Sequence, residues 1–435
     1  MSSDLPSRLA RLVNPATVIR REEVRAVTLA FCCNFILLGS YYILRPVRDT
    51  FATVFGATQL QDLFTGTFLC TLVCAPLFAT LLSRLSLRRA IPGIFWFWLF
   101  NILLFEVLLS RAPDSRWVAG AYYLWFSVAN LFMISVFWSM MVDLFSSEQA
   151  TRLFALIAAG GSIGAIAGPL ITRYAATRVG LSGLLLLAAA GFVLVIVMVH
   201  LLMREKQRLG GDPARGQHST IDHALAGNPF EGFAHVFRSG LLLNQAAFML
   251  LMTWIATIAY FLQTDLITRA YSAVEQRAVA IADIDLVVNI VGAVLLTFGL
   301  GRFVQRFGVT AGLVINPLLM IVAFIGIALS PSLLVIQAVQ VVRRVSQYAI
   351  ARPSREICFT VVPQADRYKA KNVIDTVVYR FGDLSAIWFQ TGLRWAGLGL
   401  SATLGLALGV CALWGVVSVA LGRRYEALRA KTGDS

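Results

Sequence analysis

The chain is a succession of long apolar runs parted by short stretches where polar and basic residues gather. Each run is about the length a helix needs to cross a bilayer, roughly 20 residues. Runs at about 26–50, 59–83, 90–110, 117–142, 152–175, 181–203, 241–266, 279–303, 309–329, 332–360, 369–392 and 397–421 predict about twelve transmembrane helices. The longest polar interruption, from Arg204 to Arg238, contains Gly210, Gly211, Pro213 and Gly216 and divides the helices six and six. The expected organisation is a segment 1–25, a six-helix bundle over 26–203, a linker over 204–240, a second bundle over 241–421 and a tail over 422–435. Within the linker, Phe230, Phe233 and Phe237 recur at helical spacing and predict a short interfacial helix around Asn228–Phe237.

Composition narrows the class. Of 435 residues, 58 % are hydrophobic and only 14 % charged, with a mean hydropathy of +0.75. A soluble domain is nearer one quarter charged, so a water-soluble protein is excluded. The net charge of +14 points to topology, not nucleic acid, because Lys and Arg cluster at alternate helix ends. Arg8, Arg11, Arg20, Arg21 and Arg25 precede the first helix, Arg84, Arg88 and Arg89 follow the second, and Arg204, Lys206, Arg208, Arg215 and Arg238 lie in the linker. Arg302 and Arg306 follow the eighth, and Arg423, Arg424, Arg429 and Lys431 occupy the tail. Intervening connections carry few basic residues, so both termini are expected in the cytoplasm of a bacterial inner-membrane protein. The polar, Arg-bearing start does not read as a cleavable signal. Five of the six cysteines lie in apolar runs and the sixth, Cys358, near another, and none of them makes a metal-spaced set. With no nucleophile–base set either, no enzyme, cofactor or metal is expected.

The two halves resemble one another. Setting Glu148 over Asp366 places Gly164 over Gly382 without a gap, at corresponding connections of the two bundles. A duplicated six-helix unit accounts for this.

Polar residues inside the apolar runs are the candidates for function, because an intramembrane charge is costly unless it faces a polar cavity or a partner. On the first helix Asn34, Tyr41, Arg45 and Arg48 share a face, with Asp49 four residues beyond Arg45. On the tenth, Gln337, Gln340, Arg344, Gln347 and Arg355 share a broad face, with Arg343 and Tyr348 beside it. The eleventh carries Asn372, Asp375, Thr376, Tyr379, Arg380 and Asp383, and the eighth places Asp285 one turn from Asn289. Substrate contacts are expected from Asn34, Tyr41, Arg45, Arg48, Gln340, Arg344, Gln347, Asp375, Tyr379 and Arg380. Asp49, Asp285 and Asp383 are expected to balance charge or couple transport. The competing reading is a helix-packing and salt-bridge network with arginines snorkelling at helix ends. Asp143, Glu148 and Arg152 form an expected cytoplasmic gate with Arg352, Arg355, Glu356, Asp366 and Lys371. Solvated loop charges are the alternative there. Gly160, Gly164 and Gly168 share one face of the fifth helix and predict close helix approach.

LRPVRDT (44–50), SSEQATRLFALIAAGGSIGAIAGP (146–169) and ARPSREICFTVVPQADRYKAKNVIDTVVYRFGD (351–383) resemble the bacterial members of the nucleotide transporter family, the ATP/ADP translocases of intracellular bacteria and plastids. The resemblance spreads over nearly the whole chain, and its overall plan is similar to the major facilitator superfamily. It implies an all-α membrane protein of two pseudo-symmetric six-helix bundles, and alternating access that exchanges nucleotide phosphates through a central cavity. The family's first helix carries a Leu-Arg-x-x-Lys-Asp pattern whose lysine is implicated in transport. Arg45, Arg48 and Asp49 match its basic, basic and acidic positions, with arginine replacing the lysine.

The expected function is secondary active transport of an organic anion, favouring a nucleotide-like or other phosphate-bearing solute. A proton-coupled exporter, or a lipid or amphiphile transporter, is the alternative on the same scaffold. A non-transporting receptor or assembly factor is a third. Expected partners are a small anionic solute and membrane lipids, without nucleic acid, and a monomer is expected to suffice.

Overall fold

The computed structural model describes residues 19–84, 87–208, 236–298, 300–363, 367, 370–371 and 373–431. Among these the chain is all-α. Helices α1 (Val24–Phe55), α2 (Leu60–Arg84), α3 (Leu87–Arg111), α4 (Arg116–Leu144) and α5 (Ser147–Arg208) precede the linker. After it come α6 (Gly240–Ala270), α7 (Val274–Phe298), α8 (Leu300–Leu329), α9 (Leu333–Ser346), α10 (Arg352–Ile357), α11 (Tyr379–Trp395) and α12 (Leu400–Lys431). A π-helical stretch, Gln347–Ala351, joins α9 to α10, and a second, Val373–Val378, leads into α11. Among the described residues, nine helices are long and apolar enough to cross a membrane.

The expected spans map onto these elements with three differences. The fifth and sixth are one hydrogen-bonded run, α5, turned at Gly180, whose φ of 69° suits glycine and few other residues. The tenth is α9, a π turn and α10 in series, and the eleventh begins as a π turn. Residues 209–235 of the linker, with almost all of the expected interfacial helix, lie outside the described residues. Helix is the form these apolar runs must take, since lipid offers no partner for a backbone N–H or C=O. Two starts are capped by side chains: Ser239 accepts from the Leu242 N–H and Ser332 from the Val335 N–H, both at 3.4 Å.

The chain forms two compact units whose boundary is not the linker. One is drawn from Met1–Arg45, Leu77–Asp114 and Phe126–Ser219, the other from Pro46–Pro76, Ser115–Trp125 and Thr220–Ser435. The last part of α1 and the first parts of α2 and α4 thus belong with α6 to α12, because side chains of α6, α7 and α11 bond them directly.

In the first unit the small face of α5 lies against α1. A Cβ at Gly160, Gly164 or Gly168 would meet the carbonyl oxygens of Phe31, Phe35 and Gly39, the close approach expected of that spacing. In the second unit α6 is buried on most of its circumference and packs against α12, α11 and α9. Phe248 meets Trp414 edge-on at 5.5 Å. Gly382 of α11 lies against Thr253 of α6. The offset that sets Gly164 over Gly382 also sets Phe35 over Thr253, so the same helix contact recurs in both halves. Leu318, Val322 and Val416 are among the large apolar side chains left exposed, as a lipid-facing surface requires.

Candidate functional site

Three arginines of the second unit stand out. Arg48 comes from α1, two residues past Pro46. It donates to Asp49 Oδ1 from Nε at 2.9 Å and from Nη2 at 2.5 Å, and lies over the Tyr123 ring at 5.5 Å. The Tyr260 hydroxyl of α6 donates to the same Asp49 oxygen at 3.1 Å and shares a hydrogen bond with Tyr123. One side-chain network thereby joins α1, α4 and α6.

Arg343 comes from the last turn of α9, where Gln340 accepts two of its donors at 2.8 and 3.0 Å and Gln347 a third at 3.1 Å. Arg380 opens α11, 3.6 Å from Asp383 and with its guanidinium over the Tyr379 ring at 5.7 Å. Asp383 accepts from the Thr257 hydroxyl at 3.0 Å and feels the charges of Arg380, Arg343 and Arg48. Chemically the set is three planar forks of donors, of which Arg380 pairs with Asp383, Arg48 with Asp49 and Arg343 with two glutamine amides.

Other expected site residues are placed differently. Arg344 is buried and pairs at 2.5 Å with Asp285, itself fully buried, so neither residue lines the set around Asp383. The adjacent Arg343 faces another way, because a helix turns about 100° per residue, and bonds Gln340 and Gln347. Asp375 pairs with Arg355 at 2.7 Å. Asn34 donates to the Ile157 carbonyl at 2.9 Å and serves the α1–α5 contact. Tyr41 is buried and stacks on Phe126 at 5.4 Å, and Arg45 lies over Tyr42 at 5.7 Å.

The expected gate residues fall into two clusters. In the first unit Arg152 bonds Glu23 at 2.8 Å, Glu148 bonds Arg20 at 3.0 Å, and Asp143 is half-buried near the end of α4. Glu23, just ahead of α1, was missed from the sequence. Burial would raise its carboxyl, but hydrogen bonds from Arg152, the Arg20 backbone N–H and Gln149 outweigh this and hold it at about 2. In the second unit Arg355 is 2 % exposed and joins Asp375 and Glu356, and Glu356 also pairs with Lys371. Arg352 is exposed, and Asp366 lies outside the described residues. Among the described residues no group of three or more His, Cys, Asp or Glu gathers closely enough to hold a metal ion.

Known proteins share this architecture. The family model of the Major Facilitator Superfamily matches residues 30–350. A bacterial homologue of the iron transporter ferroportin, in its inward-facing state, superposes with a TM-score of 0.65 at 13 % identity, over 92 % of this chain and 99 % of that one. The nucleoside transporter NupG gives 0.60 at 14 % identity, over 94 % and 99 %. A POT family transporter in complex with 5-aminolevulinic acid gives 0.61 at 12 % identity, over 93 % and 96 %. No curated protein matches at the level of sequence. The chain belongs to the Major Facilitator Superfamily, a family of multi-pass membrane transporters, and is not an enzyme.

Proposed function

We propose that the protein carries a small organic anion across the inner membrane by alternating access, with a phosphate-bearing, nucleotide-like solute favoured. The observation that carries this reading is the pairing of Arg380 with Asp383 at 3.6 Å, with Arg343 and Arg48 near enough for their charges to bear on the same carboxylate. An incoming phosphate offers several anionic oxygens to forks that match them bidentately. Asp383 balances the arginines while the site is empty and yields them to the solute. The resemblance of residues 44–50, 146–169 and 351–383 to the ATP/ADP translocases supports the nucleotide-like choice, with Arg48 standing where those proteins carry lysine.

On this reading both termini face the cytoplasm, and the clusters around Glu23–Arg152 and Arg355–Asp375 belong to the cytoplasmic gate. Reporter fusions at residues 1–18 and 432–435 test the orientation, and periplasmic activity at either end overturns it.

The site is tested with purified protein in nanodiscs against a panel of nucleotides, sugar phosphates and phospholipid head groups. Arg48→Gln weakens binding by about 2 kcal/mol, the scale of a charged hydrogen bond, while Arg48→Lys restores only part of it. Binding that is indifferent to Arg48, Arg343 and Arg380 removes the anion assignment.

A further inference from the structure

The end of the second unit where α1 turns into α2 is closed by arginines that grip backbone. Helix α1 stops at Phe55, and its last carbonyls have no partner further along the helix. Gly56, with φ at 65°, returns its N–H to the Ala52 carbonyl at 3.1 Å, the left-handed ending that glycine permits. Beside this turn, Arg277 of α7 donates to the Thr53 hydroxyl at 3.2 Å and, more weakly, to the Thr53 carbonyl at 3.5 Å. Its Nε is braced on the Tyr271 carbonyl at 2.8 Å and its other amino group on that of Ser272 at 3.3 Å. Arg394 at the end of α11 donates to the Ala57 carbonyl while lying over the Phe261 ring at 5.6 Å. Two further bonds flank the pair, from Trp388 to the Thr65 hydroxyl at 3.0 Å and from Thr391 to the Gln61 amide oxygen at 3.3 Å.

Every acceptor named in this closure is a neutral oxygen. The positive guanidiniums sit at the C-terminal end of α1, where the helix dipole presents its negative pole. Because α7 and α11 belong to the second bundle and α1 and α2 to the first, opening this end requires these bonds to break. We infer that Arg277 and Arg394 are the gating residues of this end, a clasp that holds the α1–α2 turn closed through main-chain carbonyls. The inference does not depend on which solute is carried.

Hydrogen–deuterium exchange of the full chain in nanodiscs tests it. The Arg277→Gln/Arg394→Gln double variant exchanges roughly tenfold faster or more at residues 54–62, while α12 keeps wild-type protection, because loss of a local clasp opens a local segment. The Arg277→Lys/Arg394→Lys variant falls between the two, since an ammonium lacks the fork that reaches both braces and the α1 end. Trp388→Phe gives a smaller increase at the same segment. Unchanged exchange at 54–62 in a folded double variant overturns the assignment. Acceleration spread evenly through α12 overturns it too, because it marks general destabilisation. Should the glutamine double variant fail to fold, the lysine variant decides by the same readout, and wild-type protection in it counts against the clasp.

Discussion

Helix ends within the two units are held by different chemistry. Where α5 begins and α10 ends, guanidiniums meet carboxylates: Arg152 with Glu23, Arg355 with Asp375 and Glu356, Lys371 with Glu356. Where α1 turns into α2, guanidiniums meet two carbonyls and a hydroxyl. In an ion pair either partner can be lost by substitution, and the survivor is left as an uncompensated charge. In an arginine–carbonyl contact only the donor can be lost, and the acceptor left behind is neutral. The first kind of closure is strong and sensitive to charge, whereas the second is weaker and indifferent to the protonation of acids.

The largest effect expected is at Arg355. Truncation to glutamine strands Asp375, leaves Glu356 to Lys371 alone and lowers stability by about 3–5 kcal/mol, read by thermal unfolding in nanodiscs. Arg277→Gln is expected to cost only about 1 kcal/mol. Equal losses at the two positions would erase the distinction between the ends.

The buried pair Arg344–Asp285 sharpens it further. Arg344→Gln alone is expected to cost about 3 kcal/mol, while Arg344→Met combined with Asp285→Leu recovers most of that, as replaced buried ion pairs commonly do. If the double variant is stable but no longer transports, the pair serves coupling and not packing.

Acid should separate the ends as well. Glu23 is held at about 2 against an ordinary 4.5, so its stabilising contribution is complete above pH 4.5 and is lost as pH falls through that value toward 2. The contribution is on the order of 2 kcal/mol. Unfolding followed across this window loses stability in wild type and less in Arg152→Gln, and parallel curves would remove Glu23 from the cluster. The smallest effect is at Gly56, where alanine in a left-handed conformation costs about 1 kcal/mol. It should loosen residues 54–62 without touching the α5–α10 ends.

What the sequence made legible follows from the same distinction. The spans and the glycine face of α5 announce themselves through side-chain type and period. Arg48, Arg380 and Asp383 were also visible, because a charge inside an apolar run is conspicuous. Which partner Arg343 and Arg344 each take was not legible, since neighbours on a helix differ only in the direction they face. Arg277 and Arg394 gave no signal, because their acceptors are main-chain atoms that every residue carries. Glu23 gave no signal either, and only folding leaves it 1 % exposed.

The stretch from Gln347 to Ala351 holds one residue more than an α-helical turn would. Everything beyond it is rotated by about 100° from where an uninterrupted helix would carry it. That rotation lets Arg355 face Asp375 on one side of the break while Arg343 faces Gln340 and Gln347 on the other. Loss of a single codon here would leave the apolar character of the segment intact and still present a different row of side chains to the same neighbours. A transporter built this way can be rewired by length as well as by substitution, and these five residues are where one deletion would do it.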